Sequence, residues 1–499
     1  MISFGGLASG LDTQAIIQAM LSVERVPLNM LEAQKAEENA KLDKVSAFKD
    51  LVKALQTAAG NLRTMGEFLD FTVSPSQENV AAFSATGSAE EGAHTLTVLS
   101  LAQADRWAFD GVLDPDTDLA GVDGEQVDFT ANGTSYSIAL TAADSSLNEI
   151  ASQINTLAGD DVTASVVNVG TASTPDYQLV LASDETGEDG RITGISSTVA
   201  GLTIDGAGPD GGGNPLSTNN VTVGTNAQAI IDGLTVERAS NDFNDVIAGV
   251  SITVQAADAA TEISFNVGAD TEAIKGKVQS FVDAYNEVIN FANSQSSYSE
   301  DGGTGGVLFG DSILRSVRRT IQSALFDVDL TEIQNDTTGY STLSLVGIKT
   351  DSDGALTLDS TIFDDKMAAN MDALADLFTD SDGFDNGGAA EGTPEYFIDT
   401  TTDSGLADKL YRQLDTLFGK VVGPSGSVDA LFDARSSAIG DLIDDIGDQI
   451  TSKERYLEIY EQRLVDRFAA LEQLMGGLNA QGAALTAALS GMSNLYSNN

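Results

Sequence analysis

Across 499 residues, 75 acidic side chains stand against 25 basic ones, and the formal net charge of −50 opposes a role on nucleic acid or on an anionic membrane surface. Cysteine is absent, which excludes disulfides, zinc–thiolate sites and thiol nucleophiles and leaves packing as the source of stability. A hydrophobic content of 42% is ample for folded cores, and the length suggests about three domains.

The chain starts with MISFGGLASGLDT, which lacks the positive start and apolar core of a secretory signal, and no run of eighteen apolar residues follows anywhere. The expectation is a cytosolic protein or one exported by a route that reads no such signal. Residues 1–11 carry no charge and are predicted to hold little fixed structure before a helix capped by Asp12 or Thr13. Pro27 is predicted to interrupt that helix, dividing it into a short piece over 13–25 and a long one from 28 to 66. Leu42, Val45, Val52, Leu55, Leu62 and Met65 follow steps of three and four, and neither glycine nor proline lies between Leu28 and Ala59.

Near Phe71 the period changes. From Val73 to Val267 the sequence reads as strands separated by Gly, Asn and Asp turns, with the clearest alternation at Leu96 and Val98, Ile138 and Leu140, Leu179 and Leu181, Leu234 and Val236, Val250 to Val254, and Ile263 to Val267. A helix is predicted at Ser146 to Leu157. The glycine-rich run from Asp205 to Asn226 reads as a boundary, giving an outer β-rich domain over 73–225 and a second β-rich part over 226–270.

Helical spacing returns at Ile274, Val278, Phe281, Tyr285, Val288 and Ala292, and again from Ile313 to Leu325 after a flexible Ser299–Gly306 segment. Leu345 to Leu358 reads as a hairpin around Asp353 and Gly354, and Thr379 to Asp403 as an acidic, glycine-rich loop. Leu406, Leu410, Leu414, Leu417 and Val421 begin a helix that leads into the most regular feature of the chain. Ile443, Ile450, Leu457, Leu464, Leu471 and Leu478 recur every seventh residue, the mark of a coiled-coil seam. Residues 271–475 are therefore read as a helical leg domain, and 476–499 as an uncharged tail in which Leu485, Leu489, Met492 and Leu495 order against a partner.

Two long helices thus bracket the chain. Rooted in one body, with the chain leaving along one and returning along the other, they would run antiparallel with both termini at the far end. The fold class expected is α+β: an antiparallel coiled-coil stalk made by both chain ends, carrying β-rich antiparallel heads. The residues Asn29 to Ala59 alone would span roughly 46 Å.

The search for chemistry finds little. His94 is the only histidine and enters a strand, and Trp107 is the only tryptophan; both read as structural. Asp114, Asp116, Asp118 and Glu125 have the spacing of a calcium loop, but Leu119 stands where such a loop needs glycine, and an acidic turn is the better reading. Asp351, Asp353 and Asp359 read likewise. GGLASG at Gly5 to Gly10 follows no strand, so no phosphate loop is supported. No cofactor, metal or catalytic residue is assigned, and the expectation is a protein that is not an enzyme.

Several blocks, in order, resemble the flagellar filament cap family, also called hook-associated protein 2. They are GLASGLDT at Gly6–Thr13, VERVPL at Val23–Leu28, VQSFVDAYNEVINF at Val278–Phe291, LFGDSILRSVRRTI at Leu308–Ile321, LSLVGIKTDSDGALTLD at Leu343–Asp359, ALADLF at Ala373–Phe378 and YLEIYEQRLVDRFAALEQLMGGLNAQ at Tyr456–Gln481. Ser145–Asn168 is similar to a short module of extracellular flagellar proteins. The tail GAALTAALSGM is poorer in aromatic side chains than the family's. The resemblance implies an extracellular protein at the filament tip, exported through the flagellar type III channel. It also implies a ring of copies whose β-rich heads form a plate under which flagellin folds and inserts. Its partners would be flagellin, hook–filament junction proteins, further copies of itself and an export chaperone, with neither nucleic acid nor membrane. Two other readings are a secreted adhesin binding glycans through the β-rich part and a carboxylate-based glycosidase.

Overall fold

A computed structural model describes residues 10, 12–209, 217–297, 305–326, 336–381, 383, 385–390, 393–398, 400, 405–419, 421–423, 426–428 and 430–496. The expectations for residues 1–9, for most of Ser299–Gly306 and for the middle of the glycine-rich run at 205–226 lie outside them. Two units are defined, one of Met1–Met65 with Gly276–Asn499 and the other of Gly66–Lys275.

The unit Gly66–Lys275 is built from β1 (Phe71–Pro75), β2 (Ala81–Ala85), β3 (Gly92–Ser100), β4 (Ala104–Ala108), β5 (Gln126–Ala131), β6 (Thr134–Ala139), β7 (Val162–Asn168), β8 (Tyr177–Thr186), β9 (Thr193–Ser197), β10 (Asn220–Thr222), β11 (Ala227–Ile231), β12 (Leu234–Arg238), β13 (Val250–Val254) and β14 (Asp258–Ala269). It holds two hydrophobic cores. An antiparallel sheet in the order β1-β14-β3-β11-β12, with the β13-β2 pair, surrounds Leu96, Val98, Phe243, Ile252, Ile263 and Phe265. The sheets β10-β4-β8-β7 and β6-β5-β9, with the helix Leu147–Ala158, surround Trp107, Phe129, Ile150, Ile154 and Leu181.

The second core is an insertion in the first. Gln103 and Thr225 bridge side by side where the chain leaves and re-enters. The expected outer domain over 73–225 is corrected accordingly: β1 to β3 ladder with β11 to β14, so residues 71–102 belong with 227–269. Sequence proximity misled because the partners of an antiparallel strand can lie anywhere along the chain.

Local chemistry explains the turns. Asn132 and Gly133 (φ 48° and 74°) close β5 onto β6, and Asp232 and Gly233 (φ 50° and 80°) close β11 onto β12, as two-residue turns that need positive φ at both places. The helix Leu147–Ala158 begins in a capping box: the Ser146 hydroxyl accepts from the Glu149 N–H while the Glu149 carboxylate accepts from Ser146 N–H.

In the other unit, one continuous helix, Thr13–Gly60, replaces the two expected around Pro27. Val23, Val26 and Pro27 lie on its exposed side, where water can satisfy the carbonyl that the missing N–H frees. It stops at Gly60, short of residue 66. Ile348–Thr350 and Leu356–Leu358 form the expected hairpin, held to the helix Thr271–Ser296 by Tyr285 Oη donating to Gly354 O (3.0 Å) and by Asn286, which donates to Leu356 O and accepts from Leu356 N. Leu406–Asp415 is helical, but a short hairpin, Val421–Gly423 with Gly426–Val428, separates it from the last helix.

The last helix, Leu431–Tyr496, runs through Gly476, Gly477 and Gly482 without a break at 475. Phe48, Phe291, Phe432 and Phe418 meet at its start, with Phe48 stacked on Phe291 and Phe418 stacked on Phe432.

Candidate interaction surface on the paired terminal helices

The first and last helices, Thr13–Gly60 and Leu431–Tyr496, pack antiparallel, and their contacts step down one as they climb the other. Lys49 pairs with Asp433 at 2.6 Å; a Cβ at Gly447 would meet Lys35 Nζ at 3.1 Å; Lys453 lies 3.7 Å from Glu24; and Ile17 and Leu21 share a cluster with Leu464, flanked by Tyr460 and Phe468.

On the first helix, Val45, Val52 and Leu55 are fully buried and Leu42 half-buried, as a seam requires. The same face continues through Ile17, Leu21 and Leu28, but Glu24, Lys35 and Glu38 interrupt its apolar pattern, which hid it from the sequence reading. Glu38 is buried and accepts from Lys41 Nζ at 2.8 Å, and that hydrogen bond first, with Glu37 adding to it, holds the Lys41 ammonium above its ordinary pKa. On the last helix, Leu457 and Leu464 are buried and Ile443 and Ile450 half-buried. Leu471 and Leu478 are exposed, at 43% and 53%. The companion positions Ile439, Ile446, Tyr460 and Phe468 complete the contact face and were missed because a single every-seventh search reads only one of its two rows.

Beyond Phe468 the last helix grows more exposed, with Glu472, Met475 and Gly476 still half-buried. Leu474, Leu485 and Leu489 are 66%, 63% and 58% exposed, and every described side chain from Gly477 to Ser490 is exposed. The side chains of Met492 and Leu495 lie outside the described residues. Val23, Val26 and Met30 add exposed apolar area on the first helix. Leu474, Leu485 and Leu489 thus make an exposed apolar stripe, and leaving it in water forgoes about 25 cal/mol per Å².

The base of the pair is anchored by charge. Asp408, whose side chain is 1% exposed, accepts from Arg412 Nε at 2.6 Å and lies 3.6 Å from Arg63, whose guanidinium sits 4.7 Å from the Tyr411 ring centre. Asp380 N–H donates to Arg63 O. Arg435 donates to Asp311, whose other oxygen caps the helix Ser312–Phe326 through Ile313 N–H.

The residues weighed for chemistry are occupied structurally. His94 Nδ1 lies 2.8 Å from Asp232 Oδ2, and its ring stacks on Phe265. Trp107 is buried and donates to Asp105 at 2.7 Å. Asp105 also accepts from Ile192 N, Asn220 Nδ2 and Gly224 N, tying β4 to the returning chain. Asp114 accepts from Asp116 N and Thr117 Oγ1, Asp116 from Asn148, Asp118 from Ser145 N, and Glu125 from Gly121 N; four carboxylates thus stabilise a turn.

The fold defines an α+β protein whose first and last helices pair antiparallel. The chain belongs to the flagellar hook-associated protein 2 family: the description "Flagellar hook-associated protein 2 C-terminus" matches residues 224–480, and "Flagellar hook-associated protein 2 N-terminus" matches 9–105. It is similar to the B-type flagellar hook-associated protein 2 of Pseudomonas aeruginosa, 25% identical over 498 residues and 95% of both chains. It is also similar to the flagellar hook-associated protein 2 of Escherichia coli K12, 26% identical over 97% of both. The crystal structure of the flagellar cap protein FliD D1-D2-D3 domains from Escherichia coli shares the fold, with a TM-score of 0.58 and 23% identity over 80% of this chain and 99% of that one.

Proposed function

We infer that this chain caps the distal tip of the bacterial flagellar filament and promotes the folding and insertion of arriving flagellin. The observation that carries this reading is the family match over residues 224–480, which takes in the last helix through Leu464, Leu471 and Leu478 and ends before Leu485. The protein acts by presenting surfaces. Copies assemble into a ring, and the apolar ends of the helix pair engage the filament and its junction proteins. Each inserted flagellin supplies binding free energy that advances the cap, so no nucleotide or other cofactor is needed and no bond is made or broken.

The protein travels through the flagellar type III channel to the outside, and an export chaperone covers the exposed tail leucines beforehand. No observation favours the adhesin reading. Deletion of the gene tests the function: cells that keep a hook but release monomeric flagellin into the medium are expected. Normal filaments in the deletion strain would overturn it.

A further inference from the structure

The helix Ser312–Phe326 buries Ile313, Leu314, Val317, Ile321, Ala324 and Leu325 and turns Arg315, Arg319 and Phe326 outward along one face. Arg315 and Arg319 are one helical turn apart and exposed, and no carboxylate among the described residues lies within ion-pairing distance of either. Phe326, at the end of the same face, is 43% exposed. Two unpaired guanidiniums on the helix face that also carries an exposed aromatic side chain are unusual in a chain of net charge −50, and arginine is enriched among the residues that dominate interface energetics.

In the same unit lies a groove of about 540 Å³, lined among others by Tyr340, Ile362 and Asp365. Its cation is turned inward: Lys366 Nζ donates to Gly339 O at 2.9 Å and sits 4.5 Å from the Tyr340 ring centre. Asp365 is exposed and is left as the charge at the rim.

We propose that the Arg315–Arg319–Phe326 face of one copy docks into the Tyr340–Ile362–Asp365 groove of a second copy, forming the contact between neighbouring subunits. This rests on the reading of the protein as a homo-oligomeric cap. Charge decides the occupant. Two copies of so acidic a chain repel each other over most of their surfaces, and a basic face meeting an acidic rim is where that repulsion is reversed. The guanidiniums pair with Asp365, and Phe326 fills the apolar part of the groove. Donor face and acceptor groove are different surfaces, so the contact is head to tail and repeats from copy to copy until the assembly closes.

The test is sedimentation velocity on the purified full-length chain across a concentration series. Wild type is expected to associate, more weakly as salt is raised. The R315E/R319E variant and the D365R variant should each need about tenfold more protein to associate, and Phe326→Ser should weaken association with the charges intact. Combining R315E/R319E with D365R in one chain should restore it. All these positions are exposed, and unchanged melting confirms that each variant folds. A monomeric wild type, single-face variants that associate like wild type, or a combination no better than either parent would overturn the docking. So would variants that alter flagellin binding while leaving self-association intact. Wild type that rescues filament growth in a strain lacking the gene, alongside variants that associate normally, would reject this contact and leave the capping function standing.

Discussion

Leu21, near the start of the chain, and Leu464, near its end, are packed into one small apolar cluster with Ile17, beside Tyr460 and Phe468. Their contact fixes the direction of the last helix against the first, since a parallel arrangement would set Leu21 against the other end. Leu464 is 5% exposed. Leu464→Asp should therefore destabilise the helix pair by about 3 to 5 kcal/mol, the scale of an uncompensated buried charge. Leu471→Asp, one heptad on at a residue 43% exposed, should stay within about 0.5 kcal/mol of wild type. Urea midpoints of the two variants decide it: equal losses would reject the seam's end at Phe468.

The base of the first helix offers a second test. Asp408 is buried against Arg412 and near Arg63, so Asp408→Ala removes a buried charge-assisted hydrogen bond from Arg412, which keeps Asp380 at 3.9 Å. A loss of about 1.5 to 3 kcal/mol is expected by denaturant unfolding. A loss below about 1 kcal/mol, the value of an exposed pair, would mean that water reaches the cluster.

What could be read in the sequence divides along the range of the forces involved. The helix at Ser146, the hairpin around Gly354 and the buried row from Ile274 to Ala292 are set by neighbours within a few residues, and the structure has them where the pattern put them. The pairing of β3 with β11 and β14 depends on contacts across the inserted core, which no local signal carries. Along the helix pair, Val45 and Leu457 were visible because both seams are apolar there. The stretch facing Glu24, Lys35 and Glu38 was not, because charged residues share the seam. The buried Arg63–Asp408 contact gives no sequence signal, as its partners lie on separate helices.

Tyr285 gives a prediction at high pH. Burial, with Asp351 adding to it and Arg318 opposing, pushes its phenol up to about 12, against about 10 in an unfolded chain. Between those values the unfolded state has released a proton that the folded state keeps, so stability is whole below about pH 10 and falls as pH rises toward 12. Tyr285→Phe should remove that part of the alkaline loss while costing about 1 kcal/mol at neutral pH through the hydrogen bond to Gly354. An alkaline unfolding curve unchanged by the substitution would contradict it.

Asp232 behaves oppositely. The hydrogen bond from His94, then the Thr95 N–H, hold its carboxyl below the ordinary carboxylate value, against some opposition from desolvation. A depressed folded pKa stabilises the fold above the unfolded value of about 3.9, and that contribution is lost as pH falls through the folded one. His94→Ala should make the acid loss begin at a higher pH, and carboxyl chemical shifts of Asp232 followed by NMR should move with it. An identical titration in the variant would show that the Thr95 N–H holds the carboxylate alone.

The last prediction concerns the tail. Every described side chain from Gly477 to Ser490 is exposed, so the intramolecular packing owes little to this stretch. A chain ending at Met475 should keep the melting temperature and helix pairing of the whole protein, because the removed segment buries no core residue among those described. It should nevertheless fail to support filament growth in cells lacking the full-length gene, since the leucines at 478, 485 and 489 would no longer be there to meet the filament. Melting and growth separate the two roles: a truncated chain that unfolds early would place the tail in the fold, and one that grows filaments normally would remove it from the docking surface.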